Sequence, residues 1–446
     1  MKEKTVKNLW RTAPLTFFAA ALLPEYVAPV LMVVCFILVL KNKISSKTPV
    51  RLGSNAVSLA LFYCWMIVAA FWSSGIITSL ASLGLWLLMF TAYFYFTDVL
   101  DSEEKIEKTM YFGCLSSGIA GAVGIGQMVL FHYGDYIYKG LGKFFNPFWH
   151  FLDVGISKLV FILPQFIQKK MPRTQFLTFP TRACSTFTNP LFFSAIEVIL
   201  LPFAAYCFLC AKERKHRIIG LFCLALSIGG IASSYSRGPY LAAVIVFVIL
   251  LLYGGKKTLK LGAMGAGALA LLLIFASGII KRLFTLFSTK DISVNTRTQI
   301  WAAAFDMIKK HPVFGYGTGF DNVRQLLHNE YGIKQPHAHN IFLEIWIENG
   351  IFGVILFAAF LLIFALNILK LFKKGGSQRC YAVTLFASVA GFVLCGMTDC
   401  LFYGLKPLQY FMMVIGISQA TFTLFLGDEE IYLIPKAKLE KIFRKK

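Results

Sequence analysis

Charge is the scarcest property of this chain, and acidic charge scarcest of all. Only 15% of its 446 residues are charged, and 44 Lys and Arg stand against 22 Asp and Glu. Soluble domains are nearer a quarter charged, so a chain that is also 57% hydrophobic falls outside that class. No internal repeat or low-complexity segment breaks the sequence into modules. No disulfide framework is visible either. The ten cysteines lie mostly inside apolar runs, and the CxxC pair Cys207 and Cys210 reads there as two small apolar residues, not as a redox or metal pair.

Repeated apolar runs of about 17 to 25 residues match a hydrocarbon layer ~30 Å thick. They fall near 12–23, 25–40, 55–72, 75–97, 109–131, 189–210, 216–233, 239–253, 259–279, 350–371, 380–399 and 406–426. The expected fold is an all-α integral membrane bundle of about twelve transmembrane helices. Eleven would result if Pro24-Glu25 only kinks one long element. The N-terminus resembles a signal peptide, but no small-residue cleavage site follows, so it is expected to stay as the first span.

The net charge of +22 does not indicate nucleic acid. With the N-terminus placed inside, the short inner segments hold 27 Lys and Arg, and the short outer loops hold two, Arg237 and Lys406. Short loops set orientation by their positive charge. Both termini are therefore expected in the cytoplasm, with two long inserts, 132–188 and 280–349, facing outward from a single domain spanning 1–446. In the first insert, Ile156, Leu159, Val160, Leu163, Phe166 and Ile167 form an apolar stripe. It reads as a helix in the membrane interface, anchoring to lipid headgroups or guiding an anionic lipid-linked substrate.

The second insert holds four of the seven histidines. Residues 297–310 form one amphipathic helix, ended by His311-Pro312, and a second runs from about His339 to Asn349-Gly350. Arg237 sits on a tight turn at the membrane surface. Its guanidinium suits phosphate oxygens, although a headgroup anchor would look the same. Arg297 falls in the first turn of its helix, where a cation opposes the helix dipole unless an anion is bound. His337 and His339 are spaced i, i+2, which is wrong for zinc ligands side by side on a helix. A general base or phosphate donor fits them better, and solvated loop histidines are the bland alternative. Asn340 can orient a ring or cap the helix. The GYGTG run at Gly315–Gly319 lacks the Lys-Ser/Thr of a nucleotide loop and reads as a tight turn. Glu344 and Glu348 read as a solvated or headgroup-facing stripe, Asp399 as a cheap polar residue at a span end, and Glu197 as a buried acid in need of a partner or a cavity. The outward segments carry no DxD pair, so arginines would have to neutralise a departing phosphate.

Four passages, RACSTFTNP, SSYSRGPYLA, RTQIWAAAFDMIKKHPVFGYGTGF and HAHNIFLEIWIENGIFG, cover about 175–365. Together they resemble the O-antigen ligases and the related O-antigen and teichuronic-type polysaccharide polymerases. Leu191 after TNP departs from the asparagine often found there. The resemblance implies a twelve-helix, metal-independent glycosyltransferase without cofactor. It would take a glycan from a polyprenyl-pyrophosphate donor to a glycan or lipid-glycan acceptor, at the outer face of the cytoplasmic membrane and among its lipids. Its essential residues map onto Arg237, Arg297 and His339, with His337 a frequent companion; His337, Asn340, Arg182, Gly317 and Glu344 are taken as candidate substrate contacts. The rival class, a flippase or transporter of lipid-linked oligosaccharide, expects midplane charges and repeated halves. The sequence shows only Glu197 and no repeat.

Overall fold

Inside lipid every backbone N–H and C=O must be satisfied internally, and helices do this segment by segment. The computed structural model describes residues 11–23, 25, 27–46, 51–133, 182–253 and 292–427. Among the described residues there is no strand. The helices are α1 (Thr12–Leu22), α2 (Val27–Ser46), α3 (Gly53–Ala69), α4 (Ile76–Val99), α5 (Glu103–Tyr133), α6 (Pro190–Cys210), α7 (Arg214–Ser233), α8 (Arg237–Tyr253), α9 (Ile292–Lys310), α10 (Phe320–Tyr331), α11 (Ile341–Lys373), α12 (Gly376–Gly396) and α13 (Leu405–Leu426). Nine of these are long and apolar enough to cross a membrane; α1 and α8 are shorter apolar helices. The expected span at 259–279 and the interfacial stripe at 156–167 lie outside the described residues.

Burial separates centre from periphery. In α6 and α13, 83% of the most apolar window is buried, against 28% in α2. Helices α6 and α13 therefore form the axis. Around it α5 packs on α7, α4 on α13, α3 on α11, and α12 on both α6 and α8. Helices α5 and α7 touch through small residues: a Cβ added at Gly121 would lie 2.3 Å from the Leu226 carbonyl oxygen, and one at Gly230 would lie 2.7 Å from the Gly121 Cα. Glu197 lies at this junction. Its Oε2 accepts from Ser117 Oγ (2.9 Å) and Ser227 Oγ (2.7 Å), so the buried acid ties α6 to α5 and α7.

At one end of the bundle a second apolar cluster forms where α9, α10 and the start of α11 meet, built from Ile300, Ala304, Met307, Val323, Leu327 and Ile347. The expected break at Asn349-Gly350 is present: one helix ends and the next begins at the Gly350 kink, with φ 65° and ψ −169°. One sequence expectation changes here. Helix α9 is already formed at Ile292, so Arg297 lies beyond the first turn and the helix-dipole argument for an anion there fails.

The kink frees carbonyl groups, and each finds a donor. Tyr316 N–H donates to Ile347 O (2.7 Å), Gly317 N–H to Glu348 O (2.9 Å) and Trp65 Nε1–H to Asn349 O (2.8 Å). The GYGTG run is thus a strut for the kink. At Gly350 a Cβ would lie 2.0 Å from the Val313 carbonyl oxygen, in addition to the positive φ. Gly350→Ala is expected to cost at least ~1–3 kcal/mol from the backbone conformation alone, seen as a lower midpoint of thermal unfolding in detergent. An unchanged midpoint would contradict this account.

Candidate active site at the capped end of the bundle

The loop between α12 and α13 carries Asp399, with Leu401–Tyr403 forming a short 3-10 turn. Asp399 is 3% exposed, contrary to the expectation of a cheap polar residue at a span end. Its Oδ1 accepts the Cys400 N–H (2.9 Å), lies 3.0 Å from His339 Nδ1 and 3.5 Å from His337 Nε2. The two imidazoles are not on a helix. His339 has φ 50°, a left-handed conformation uncommon outside glycine, and precedes the α11 cap. That turn brings both rings to one carboxylate, with centroids 4.1 Å apart.

Proton positions follow from the partners. The His339 backbone N–H donates to His337 Nδ1 (3.2 Å), so His337 carries its proton on Nε2, towards Asp399. An ionised carboxylate only accepts, so neutral His339 carries its proton on Nδ1. Its Nε2 is then an open base. Burial above all, with the Arg297 charge adding to it, holds the His337 pKa down at about 4, although Asp399 pulls the other way. Burial pushes Asp399 up, but the hydrogen bond from His339 and the two nearby imidazoles prevail and hold it below the ordinary carboxylate range.

Ala338, between the histidines, is held from both sides. Its N–H donates to Glu344 Oε2 (2.6 Å), and its carbonyl accepts from Trp301 Nε1 (3.1 Å). Arg297 lies four residues before Trp301, on the same side of α9, and its charge reaches His337. Arg237 is the first residue of α8. The next residue, Gly238, packs so tightly on Thr398 that a Cβ would lie 2.1 Å from Thr398 Oγ1. The turn before Arg237 is gripped by Arg182, whose Nε donates to Ser234 O (2.9 Å) and Nη2 to Ser236 Oγ (2.7 Å). The structure thus brings His337 and His339 to Asp399, Arg297 within electrostatic reach of His337, and the segment of Arg237 against the same loop, with Arg182 gripping the turn before it.

Four other residues singled out by the sequence are placed differently. Asn340 caps α11, accepting from Phe342 N (2.9 Å) and Leu343 N (3.2 Å). Gly317 has its amide on Glu348 O and its Cα against Ser73, so it stands outside the cluster. Glu344 and Glu348 are 3% and 6% exposed, correcting the solvated stripe. Both touch the Tyr403 hydroxyl, at 2.5 Å and 2.6 Å. Asp399 and Tyr403 were missed as site residues because a partner 60 residues away in sequence has no local signature; their one hint is polarity in an apolar region. Lys406 was read only as an orientation marker. It is buried, donating to Thr186 O (3.0 Å) with its ammonium over the Phe187 ring (4.1 Å), and so pins the loop that carries Arg182.

A metal ion is the other occupant this geometry allows. One ligand atom each from His337, His339 and Asp399 lie within 4.8 Å of one another.

The family model for O-antigen ligase matches residues 222–358, the segment holding Arg237, Arg297, His337, His339 and Glu344. The match covers less than half of the chain and makes this segment similar to that family. An uncharacterized protein of Haemophilus influenzae is similar at 29% identity over 172 residues, a stretch covering 33% of this chain and 42% of the relative. The match thus spans less than half of that relative's length.

With its folded pKa lowered, His337 takes up its proton more readily in the unfolded chain. Its contribution to stability is therefore lost as pH falls from 6.5 towards 4. His337→Gln is expected to flatten this acid slope by of order 2 kcal/mol, allowing for partial solvent access. Unfolding midpoints of the two proteins across that range measure it, and parallel curves would refute the assignment.

Proposed function

We propose that this protein transfers a glycan from a polyprenyl-pyrophosphate donor to an acceptor hydroxyl, as in O-antigen ligation or surface polysaccharide polymerisation. The observation that carries the reading is the Asp399–His339 pair, which leaves Nε2 of His339 as the open base, with the Arg297 charge reaching the neighbouring His337. The acceptor O–H gives its proton to His339 Nε2 while its oxygen attacks the anomeric carbon. The bond from that carbon to the pyrophosphate oxygen breaks, and the electron pair leaves with polyprenyl pyrophosphate. Arg237 and Arg297 hold the diphosphate, and Arg182 holds the turn that presents Arg237. Asp399 fixes the tautomer and stabilises the imidazolium that forms. Single displacement inverts the anomeric centre. The excess of Lys and Arg in the short segments at the other end of the bundle supports an active face outside the cytoplasmic membrane.

The reading is metal-independent because a fixed guanidinium near His337 disfavours a second cation between the histidines. Purified protein, lipid-linked glycan and acceptor test it. His339→Ala, Arg237→Ala and Arg297→Ala are each expected to lower transfer by about 100-fold or more, and Asp399→Asn by a comparable factor, while membrane insertion persists. A chelator should leave the rate unchanged. Full activity in all four variants would end the proposal. Loss on chelation that zinc restores would move the chemistry to a metal held by His337, His339 and Asp399.

A further inference from the structure

Tyr403 contacts two carboxyl groups with one hydroxyl. Its Oη lies 2.5 Å from Glu344 Oε1 and 2.6 Å from Glu348 Oε1. A phenol has one proton to donate and can otherwise only accept. Two ionised carboxylates would leave one of these contacts with two acceptors and no hydrogen, buried and repulsive. The contacts are satisfied together only if one carboxyl group is protonated and donates to the tyrosine oxygen. Burial and the two carboxyl groups push the Tyr403 pKa well above its ordinary value, so the phenol keeps its own proton.

Each carboxyl group also has one backbone donor. Glu344 receives the Ala338 N–H on Oε2 (2.6 Å). Glu348 also accepts the Gly319 N–H. The groups around the trio are Asp399 and Cys400 from the α12–α13 loop, together with the rings of Phe320 and His337, each 5.9 Å from the Tyr403 ring. None of these supplies a cation to balance a second negative charge.

We propose that Glu344 and Glu348 share one proton through Tyr403, carrying one negative charge between them, and that this chain positions the His337–Ala338–His339 turn. The protonated carboxyl group donates to Tyr403 Oη, the Tyr403 O–H donates to the other carboxylate, and the Ala338 N–H donates to Glu344. Glu344 is then a positioning residue and not a contact for substrate. The turn it holds aims both imidazoles at Asp399. The inference deepens the transferase reading, and only its rate measurement depends on that reading.

Because the pair has one proton, glutamine at either position mimics the protonated partner. In Glu344→Gln the amide accepts from Ala338 and donates to Tyr403, whose proton passes to an ionised Glu348. In Glu348→Gln the amide donates to Tyr403 and Glu344 stays ionised. Infrared difference spectra against the wild type near neutral pH should show each single variant losing the same protonated-carboxyl band and no carboxylate band. The double variant should lose one of each. Single variants that lose only carboxylate absorption, or a double variant that loses two protonated bands, would overturn the shared proton.

The positioning claim is read from hydrogen exchange of the Ala338 amide. Protection should persist in both single glutamine variants and fall in Tyr403→Phe. If the chain transfers glycan, Tyr403→Phe should also lower kcat by about 10- to 100-fold at unchanged KM for the donor. An Ala338 amide equally protected without the Tyr403 hydroxyl would sink the positioning role, whatever the activity.

Discussion

A carboxylate removed from water at the rim of a hydrocarbon bundle costs several kcal/mol unless donors surround it. Asp399 is such a group, and its donors come from its own loop and from the turn before α11. The loop between α12 and α13 therefore cannot close without that turn, and the turn needs a left-handed residue at His339 to present both rings. The surrounding constraints serve this junction. Trp301 and Glu344 hold the two sides of the Ala338 peptide, so α9 and α11 are both committed to the same turn. Thr398, next to Asp399, is in turn the surface against which Gly238 packs, and this fixes where Arg237 begins α8.

The same end of the bundle concentrates backbone conformations that cost energy. Ser185, Tyr235 and His339 are non-glycine residues with positive φ, and each lies within three residues of an arginine or histidine of the site. Such strain persists only where neighbours over-determine it. Here they do. Gln127 ties down the Ser185 turn with Oε1 accepting from Cys184 and Ser185 N–H groups and Nε2 donating to Ser185 O. Arg182 bonds the residues either side of Tyr235, and Asn340 caps the helix immediately after His339.

How much of this the sequence disclosed depends on the range of each interaction. Hydrocarbon runs are local, so most helices were legible from composition. The Asn349-Gly350 stop was legible too, since a glycine after asparagine is a backbone signal, and Gly350 does break the helix there. Arg237, Arg297 and His339 could be singled out because a cation or imidazole beside an apolar run is conspicuous by itself. Asp399 and Tyr403 could not, since their importance lies in partners 55 to 60 residues away. The reading of Glu344 and Glu348 failed for the same reason. Their i, i+4 spacing fixed a shared face correctly, but the loop covering that face belongs to another part of the chain. Arg297 was singled out partly on a wrong argument, because the start of its helix lies further upstream.

The acid balance of this end has a consequence for an anionic ligand. His337 is neutral above about pH 4, so it adds no positive charge at neutral pH. If Glu344 and Glu348 each carried a charge beside Asp399, three negative groups would face any diphosphate held at Arg237 and Arg297. At low effective dielectric every such charge weighs heavily. A proton shared through Tyr403 leaves one charge in place of two, while keeping the hydrogen bond that holds Ala338. The arrangement thus reconciles two opposed demands: acceptors strong enough to fix a strained histidine turn, and a local field that does not expel a phosphate. Tyrosine suits the bridging position because its hydroxyl can donate to one acid and accept from the other at the same time, which an aliphatic side chain of similar reach could not do.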